Sequence, residues 1–444
     1  MSTTIRYDAH CHIFTLRYVL KELKSMLFDM YYNQYPWPKS EGFRAEQIEM
    51  QGIADIKEVS RWLLELTSAA LTSERRNLNF LQRQARKAFP GDRHSIIPLM
   101  MDVYYFFAYS LGEDEDYPVA FRTSSEISHR DDFTVLWHEV LDTLKNQIVH
   151  LGWSDQEEGM DARIKALGEK ITILEQERGF VESTPELPKN LLKTKAVDYY
   201  HTEGFDFHLN NLMKLVRYRR GELYPFIAVD PRRNGMIETV KSGRFFESTP
   251  RFYGVKLYPR LGYHPMCKPL MPLYEYCAQK GIPITFHCGM SGFPPGIRWR
   301  YAEYGNPANF EPIIKQFPNL RINFAHMGSN DPTNQWEETI LRLVNENPNV
   351  YTDLSCYTNL LELKSMRKYW DQNPALQQRL MYGTDFDVMY FSGTKITMQE
   401  YMQNFKAVFP DALQRMMIDN PKSFLGVEEK WLTLIQKILL RLLR

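Results

Sequence analysis

The chain has 444 residues, room for one large domain or roughly two to three ordinary ones. Lys plus Arg (54) equals Asp plus Glu (54), so nothing global points to nucleic acid or an anionic membrane surface. Five cysteines without C-x-x-C spacing argue against a disulfide framework, no apolar run reaches the roughly 18 residues of a membrane helix, and no leader pattern precedes Ile5; the expected compartment is the cytoplasm.

Ile5 to Ala9 reads as a first strand, leading into Asp8-Ala9-His10-Cys11-His12. Residues i and i+2 of a strand share a face, so His10 and His12 can grip one cation while Cys11 points into the wall behind. Taken alone, such a pair is equally a polar strand end. The stretch from Phe14 to Pro90 is too long for a simple connection and reads as helical. A second strand follows at Ser95 to Val103. After it, Tyr104, Tyr105, Phe106 and Phe107 either line a pocket or join a core.

A second long stretch runs from Tyr104 to Gly221. Phe133, Leu136, Trp137, Val140, Leu141, Leu144 and Ile148 recur at helical spacing. Met160, Ile164, Leu167, Ile171 and Leu174 do the same after a break at Gly152-Trp153-Ser154, so the two form a helical hairpin. Their apolar stripes read as core. Glu182 to Lys189, with two prolines, reads as the returning loop. The insertions, at about 14–90 and 104–221, are expected to cap the mouth of the fold.

From there strands alternate with helices. The strands are Leu223 to Val229, Gly254 to Leu257, Ile282 to His287, Leu320 to Ala325, Asn349 to Leu354 and Leu380 to Tyr382. Helical patterns cover Leu270 to Gln279, Pro312 to Gln316 and Trp336 to Glu346. This repetition implies a parallel sheet. Eight strands in all imply an α/β fold, a (β/α)8 TIM barrel with large helical insertions after strands 1 and 2. An open doubly wound sheet is the competitor, but no glycine fingerprint follows the first strand. Residues 1–430 are expected to make this domain. Trp431 to Arg444 reads as an amphipathic helix docking on the body or on a second copy in a homo-oligomer.

Three later strands end in ionisable residues: His287, His326 and Asp385. Parallel barrels gather their active sites at the carboxyl ends of strands. A lone imidazole or carboxylate buried there is costly, so several converging strand ends point to a shared partner. His10, His12, His287 and Asp385 offer three nitrogens and one oxygen. That set suits one divalent metal, most naturally zinc, with manganese or iron also fitting. Zinc brings the pKa of bound water from about 15.7 towards about 7. His326 would stand beside the ion as a catalytic group, polarising a carbonyl or holding the attacking water, and Asp385 would accept the water's proton.

The motifs Asp8-Ala9-His10-Cys11-His12, Gly254-Val255-Lys256-Leu257-Tyr258-Pro259, Pro283 to Gly289, Asn306-Pro307, Phe317 to Leu320, Phe324 to Gly328, Val350 to Ser355, Tyr382 to Asp385 and Asn420 to Gly426 occur in an order that resembles the amidohydrolase superfamily. The resemblance is to its amidohydrolase-2 branch, which includes the aminocarboxymuconate-semialdehyde decarboxylase-like enzymes. It implies a (β/α)8 barrel, metal ligands at His10, His12, His287 and Asp385, and His326 in a second catalytic role. It covers the first strand and about Gly221 to Gly426, and does not reach the two insertions. Some relatives carboxylate a strand-four lysine to bridge two metals. The alternative for Lys256 is a charged lysine that orients a substrate anion or pairs with Asp385, and a mononuclear site is favoured.

Arg232 and Arg233 follow the third strand, and Arg298, Trp299 and Arg300 follow the fifth. A guanidinium can clamp a carboxylate, and Trp299 could stack on a flat ring. Tyr258 and His264 sit in the strand-four loop. The substrate is therefore expected to be a small molecule, with a carboxylate for these cations to hold. The expected activity is attack on an amide, cyclic amide, lactone or ester carbonyl by metal-bound hydroxide. The alternatives are a metal-dependent non-oxidative decarboxylase of an unsaturated or aromatic acid, and a partner-binding or regulatory module on the same scaffold.

Overall fold

Eight parallel strands form where the apolar runs fall, trimmed by proline. The computed structural model describes residues 4–15, 18–19, 21–22, 25, 73–107, 112–113, 198–219, 221–292, 301–329, 331–386 and 396–427. Its strands are β1 (Ile5–Cys11), β2 (Arg93–Pro98), β3 (Phe226–Ala228), β4 (Gly254–Leu257), β5 (Ile284–Phe286), β6 (Ile322–Phe324), β7 (Val350–Asp353) and β8 (Leu380–Met381). β2 stops at Pro98, and β3 and β5 begin just after Pro225 and Pro283. Proline has no N–H to give a ladder, so the longer runs read from the sequence shorten there.

β3 to β8 pair in chain order, and β1 pairs with β2. Backbone hydrogen bonds join these two sheets at both seams. Between β2 and β3, Tyr224 N–H donates to the Ile96 carbonyl (2.9 Å) and Met100 N–H to the Phe226 carbonyl (3.1 Å). Between β8 and β1, Ala9 N–H donates to the Tyr382 carbonyl (2.9 Å) and Thr384 N–H to the His10 carbonyl (3.0 Å). The ring therefore closes as a TIM barrel.

Helices line the outside. They are α1 (Glu74–Ala88), α2 (Glu203–Tyr218), α3 (Met236–Lys241), α4 (Met271–Lys280), α5 (Glu311–Gln316), α6 (Gln335–Glu346), α7 (Leu360–Gln372), α8 (Pro374–Gln377), α9 (Met398–Val408) and α10 (Asn420–Leu425). α1 buries Leu78, Leu81, Ala85 and Ala88, one stripe at helical spacing, and Ser73 caps its start through the Arg76 N–H. It is bound to its neighbours: Asn211 of α2 donates to Glu74 (3.1 Å), and Lys406 of α9 donates to the Ala88 carbonyl (3.3 Å). α1 is thus the wall helix between β1 and β2, and α2 the one between β2 and β3.

The ranges read as insertions, 14–90 and 104–221, therefore each end in one of the barrel's own helices. The helical hairpin at 133–174, the segment at 182–189, the terminal helix at 431–444 and the cap they were expected to build lie outside the described residues. No helix among the described residues is long and apolar enough to cross a membrane.

The barrel's amino end is closed by aromatic packing. Phe424 of α10 meets Phe226 of β3 (5.9 Å between rings) and Tyr351 of β7 (5.2 Å), strands on opposite sides of the ring. Tyr7, Ala9, Ile97 and Met381 join them. Burying one such phenylalanine contributes about 1.5–3 kcal/mol. This apolar plug leaves the carboxyl ends of the strands for polar chemistry.

Candidate metal centre

The chain leaves β6, β7 and β8 in an unusual way. His326 (φ 62°), Cys356 (φ 67°) and Asp385 (φ 48°) all lie in the left-handed region. Each such residue costs about 1–3 kcal/mol, and such strain gathers at functional sites. In β1 the register with β2 slips between Asp8 and Cys11. A bulge of this kind re-aims side chains. Here it accompanies an inward Ala9 in the apolar plug and a His10 that reaches Asp353 of β7. Gly383 lets β8 approach β1, since a Cβ there would stand 2.8 Å from the Cβ of His10.

The hydrogen bonds fix the tautomers of four imidazoles. His10 Nδ1 faces Asp353 Oδ2 (3.1 Å), and His12 Nδ1 faces the Leu99 carbonyl (2.8 Å). Carboxylates and carbonyls only accept, so both Nδ1 atoms carry the proton and both Nε2 atoms carry a lone pair. Those lone pairs turn to one oxygen: Asp385 Oδ1 lies 3.4 Å from His10 Nε2 and 3.3 Å from His12 Nε2. His287 Nε2 faces the Ser291 carbonyl (2.9 Å), which leaves its Nδ1 as an acceptor. The Ser355 hydroxyl donates to Asp353, so it accepts from His326 Nδ1 (2.8 Å), and His326 Nε2 is an acceptor too. These two acceptor nitrogens face each other at 3.2 Å.

Every described N–H of the four rings therefore goes outward to a protein acceptor, and every lone pair goes inward. His10 Nε2 and Asp385 Oδ1 are buried without a hydrogen-bond partner among the described residues. Lone pairs facing lone pairs repel unless a cation lies among them. Outer N–H groups held by carboxylate and carbonyl are also how ligating histidines are oriented. Donor atoms of His10, His326 and Asp385 lie within 4.8 Å of one another. The residues fit a divalent metal. They gather somewhat differently from the set expected from sequence: His326 lies in this ring of donors, and His287 stands one contact further out, against His326.

Burial governs the protonation of these groups. It pushes His12 down to about 3 and His326 down to about 4, against the opposing pull of Asp385. His287 is held well below its ordinary value by burial and by His326. Burial pushes the Asp385 carboxyl up, but His10, His326 and His12 outweigh it and hold the group below the usual range. Asp353 behaves likewise and lies far below the usual range. The centre thus offers neutral imidazoles at His12, His287 and His326 beside an ionised Asp385.

Asp353 is the residue that sequence reading passed over. Besides His10 it accepts from Asn323 Nδ2 (2.7 Å), His326 N–H (3.1 Å) and Ser355 N–H (3.1 Å). The signal was present: β7 ends in a buried carboxylate just as β8 is followed by one. Asp8 is a second such residue. It accepts from the Thr384 N–H (3.0 Å) and hydroxyl (2.6 Å) and so fastens β1 to the Asp385 turn, while burial lifts its pKa to about 7. Cys356 is a third, its thiol donating to Asp385 Oδ2 (2.7 Å).

The expected substrate residues fall into three groups. Lys256 is buried, with no hydrogen-bond partner for Nζ among the described residues, and burial pushes its pKa down to about 8. Tyr258 stacks on His287 (4.2 Å between rings, 19°). Arg232 is different: it is fully buried and forks onto Asp230 through Nε (2.8 Å) and Nη2 (2.6 Å). Its carboxylate-binding face is already taken by a protein carboxylate, which corrects the expectation of a substrate clamp there. Arg233 is likewise forked onto Asp102 (2.6 and 2.7 Å). His264 accepts from the Met266 N–H (3.2 Å). Arg298, Trp299 and Arg300 lie outside the described residues.

The family model for amidohydrolases (Amidohydro_2) matches residues 200–427, just over half of the chain. The chain belongs to the amidohydrolase family, whose members depend on metal. The match contains Lys256, His287, His326, Asp353 and Asp385, while His10 and His12 precede it. Among solved structures, an uncharacterised TIM-barrel protein from Bordetella bronchiseptica is 20% identical, with 49% of this chain and 71% of that one covered (TM-score 0.37). A candidate 2-pyrone-4,6-dicarboxylic acid hydrolase from Pseudomonas putida is 16% identical over 49% and 77% (TM-score 0.34). The 5-carboxyvanillate decarboxylase of Sphingomonas paucimobilis is 12% identical over 46% and 72% (TM-score 0.31). A search of curated proteins finds no match.

Proposed function

We propose that the chain is a metal-dependent hydrolase of small molecules that opens an amide, cyclic amide, lactone or ester bond. One observation carries this reading: four buried imidazoles turn their lone pairs inward around the single oxygen Asp385 Oδ1 and around each other. His10, His12 and Asp385 would hold the ion, with His326 in the same ring of donors and His287 one contact further out. Zinc suits this nitrogen-rich set, and manganese or iron fits as well. When bound, such an ion supplies a Lewis acid and makes water acidic enough to react at neutral pH.

The residues themselves do the rest. Asp385 is ionised and has Oδ1 without a hydrogen bond among the described residues, so it can take a proton from water and return it to the leaving group. Cys356 holds its other oxygen and so sets which one faces the imidazoles. With Nδ1 given to Ser355, His326 presents a lone pair. That suits it to accept a proton or hold the ion, and not to donate to a substrate carbonyl. Asp353 fixes three of these parts at once: His10, the His326 backbone and Ser355.

The test is metal content together with turnover. Protein purified without chelator should hold about one equivalent of divalent metal by plasma emission, and His10→Ala with His12→Ala should remove it. Full stoichiometry in that double variant would end the assignment. On a panel of lactones, cyclic amides and esters, turnover should consume water. Carbon dioxide release from unsaturated or aromatic acids would instead select a decarboxylase, and bound metal without turnover would select a binding module.

A further inference from the structure

Asn323 is a polar residue in the middle of a short apolar strand. It lies in β6, opposite Thr285 of β5 and Tyr351 of β7, and none of its surface is exposed. For packing alone, an apolar side chain would be the cheaper occupant. Its Nδ2 donates to Asp353 Oδ2 (2.7 Å) and reaches Thr285 Oγ1 at 3.5 Å. A carboxylate only accepts, so this contact fixes which end of the amide faces which way. Asn323 Oδ1 is turned away, buried and without a partner among the described residues. A buried acceptor left so is costly, and the reason for it lies at the donor end.

Asp353 Oδ1 takes the backbone N–H of His326 and of Ser355 (each 3.1 Å) and the Ser355 hydroxyl. Its Oδ2 takes His10 Nδ1 (3.1 Å) and Asn323 Nδ2. His10 and His326 belong to the centre, and Ser355 holds His326 Nδ1. Among these donors, Asn323 alone stands apart from the imidazoles, deeper in the barrel. Asn323 and His326 lie three residues apart on one segment and take one oxygen each, so that segment grips the carboxylate across its width and stops its plane from turning. Without Asn323 the carboxylate would pivot on the well-held Oδ1, and Oδ2 would lose its fixed place behind His10. The group behind a ligating imidazole sets both its orientation and its basicity. We infer that Asn323 is a positioning residue of the metal centre: by fixing Asp353 Oδ2 it holds His10 Nε2 toward Asp385 Oδ1, and so sets the affinity of the centre for a divalent cation. This rests on the reading of the centre as a metal site.

The experiment measures Zn2+ affinity at pH 7 by competition with a chromophoric chelator, in wild type, Asn323→Leu, Asp353→Asn and the double variant. Asn323→Leu should weaken zinc roughly 10- to 100-fold, the usual loss when a group behind a ligand is removed. In the Asp353→Asn background the same change should weaken it by less than about twofold, since its target is gone. The visible spectrum of the Co2+-loaded protein, which reports ligand geometry, should shift in Asn323→Leu as well. A merely structural residue would lower the urea midpoint and leave affinity and spectrum alone. Undiminished zinc affinity in Asn323→Leu, or losses that add in the double variant, would overturn the inference. Should the leucine variant not fold by circular dichroism, Asn323→Val, which suits a strand, decides by the same readings. Two unfolded variants would make Asn323 a folding residue and overturn the inference too. Wild type without zinc affinity ends the metal centre itself, whereas wild type and Asn323→Leu binding alike keep the centre and end this inference alone.

Discussion

At the ends of β2 and β3, Arg233 gives Nε and Nη2 to Asp102, Nη1 to the Tyr200 carbonyl, and Nη2 again to Glu22 (3.3 Å). At the ends of β1, β6 and β8, the inner nitrogens of His10 and His12 face an oxygen that offers them no proton. Both clusters are buried and both are rich in charge. The first is paired donor on acceptor around Arg233, with only Glu22 Oε2 left without a partner among the described residues, and ties the segment at 198–202 to the barrel. The second is saturated only on its outside. Buried polar groups are almost always paired, so a cluster left unpaired on its inner face is where a ligand belongs. Burial and charge alone would have ranked the two alike; the hydrogen-bond account separates them.

That contrast can be broken by substitution. Asp385→Asn should cut turnover by roughly 10²- to 10⁴-fold, as expected for loss of a proton-transferring group, while circular dichroism stays unchanged. Near-normal activity would put the base elsewhere. Arg233→Met should act on folding instead. It strands Asp102 as a buried charge, and urea denaturation should show a loss of about 3–5 kcal/mol, partly restored by adding Asp102→Leu. A stable but inactive Arg233→Met would erase the distinction between the clusters.

The pH dependence of stability sharpens the same point away from the metal centre. Burial lifts Glu22 from 4.5 to about 8, against the opposing pull of Arg233. Between those values only the unfolded chain is ionised, so stability falls as pH rises through that window. Burial alone lowers His208, stacked on Tyr18, from 6.5 to about 3. Between those values the unfolded chain takes the proton first, so stability falls as pH drops. Glu22→Gln and His208→Phe should each remove up to about 1.4 kcal/mol per pH unit of slope, in opposite directions. Parallel stability–pH curves for wild type and variants would refute this. The smallest effect belongs to Cys356→Ala, which frees Asp385 Oδ2 and should lower turnover roughly 2- to 10-fold, with Cys356→Ser recovering most of it.

Most of the barrel could be read from the residues in order. Parallel strands are buried on both faces and appear as short apolar runs, and each polar residue beyond the run marks the carboxyl end. Gly254 to Leu257 was read to the residue, and the helix over Met271–Lys280 within one. α1 and α2 were submerged in long stretches read as insertions, because an amphipathic helix looks the same on a barrel wall as in a cap. His10 and His12 were singled out as a pair sharing one strand face, and His326 and Asp385 by strand-end logic. Asp353 obeys that logic and was quoted without a role, since its work is to hold other side chains. Arg232 was misread for a general reason: Asp230, two residues earlier, had already claimed it.

The sequence by itself determined the strand order, the family and the residue types at the strand ends, because these are local patterns of apolarity, proline and polarity. Only the tertiary structure decided which residues meet. Asp385 and His10 are brought together by β8 closing on β1, and no local rule carries information across that span. It also decided direction: each imidazole has two nitrogens, and which one faces inward depends on whether Asp353, the Leu99 carbonyl, Ser291 or Ser355 stands behind it.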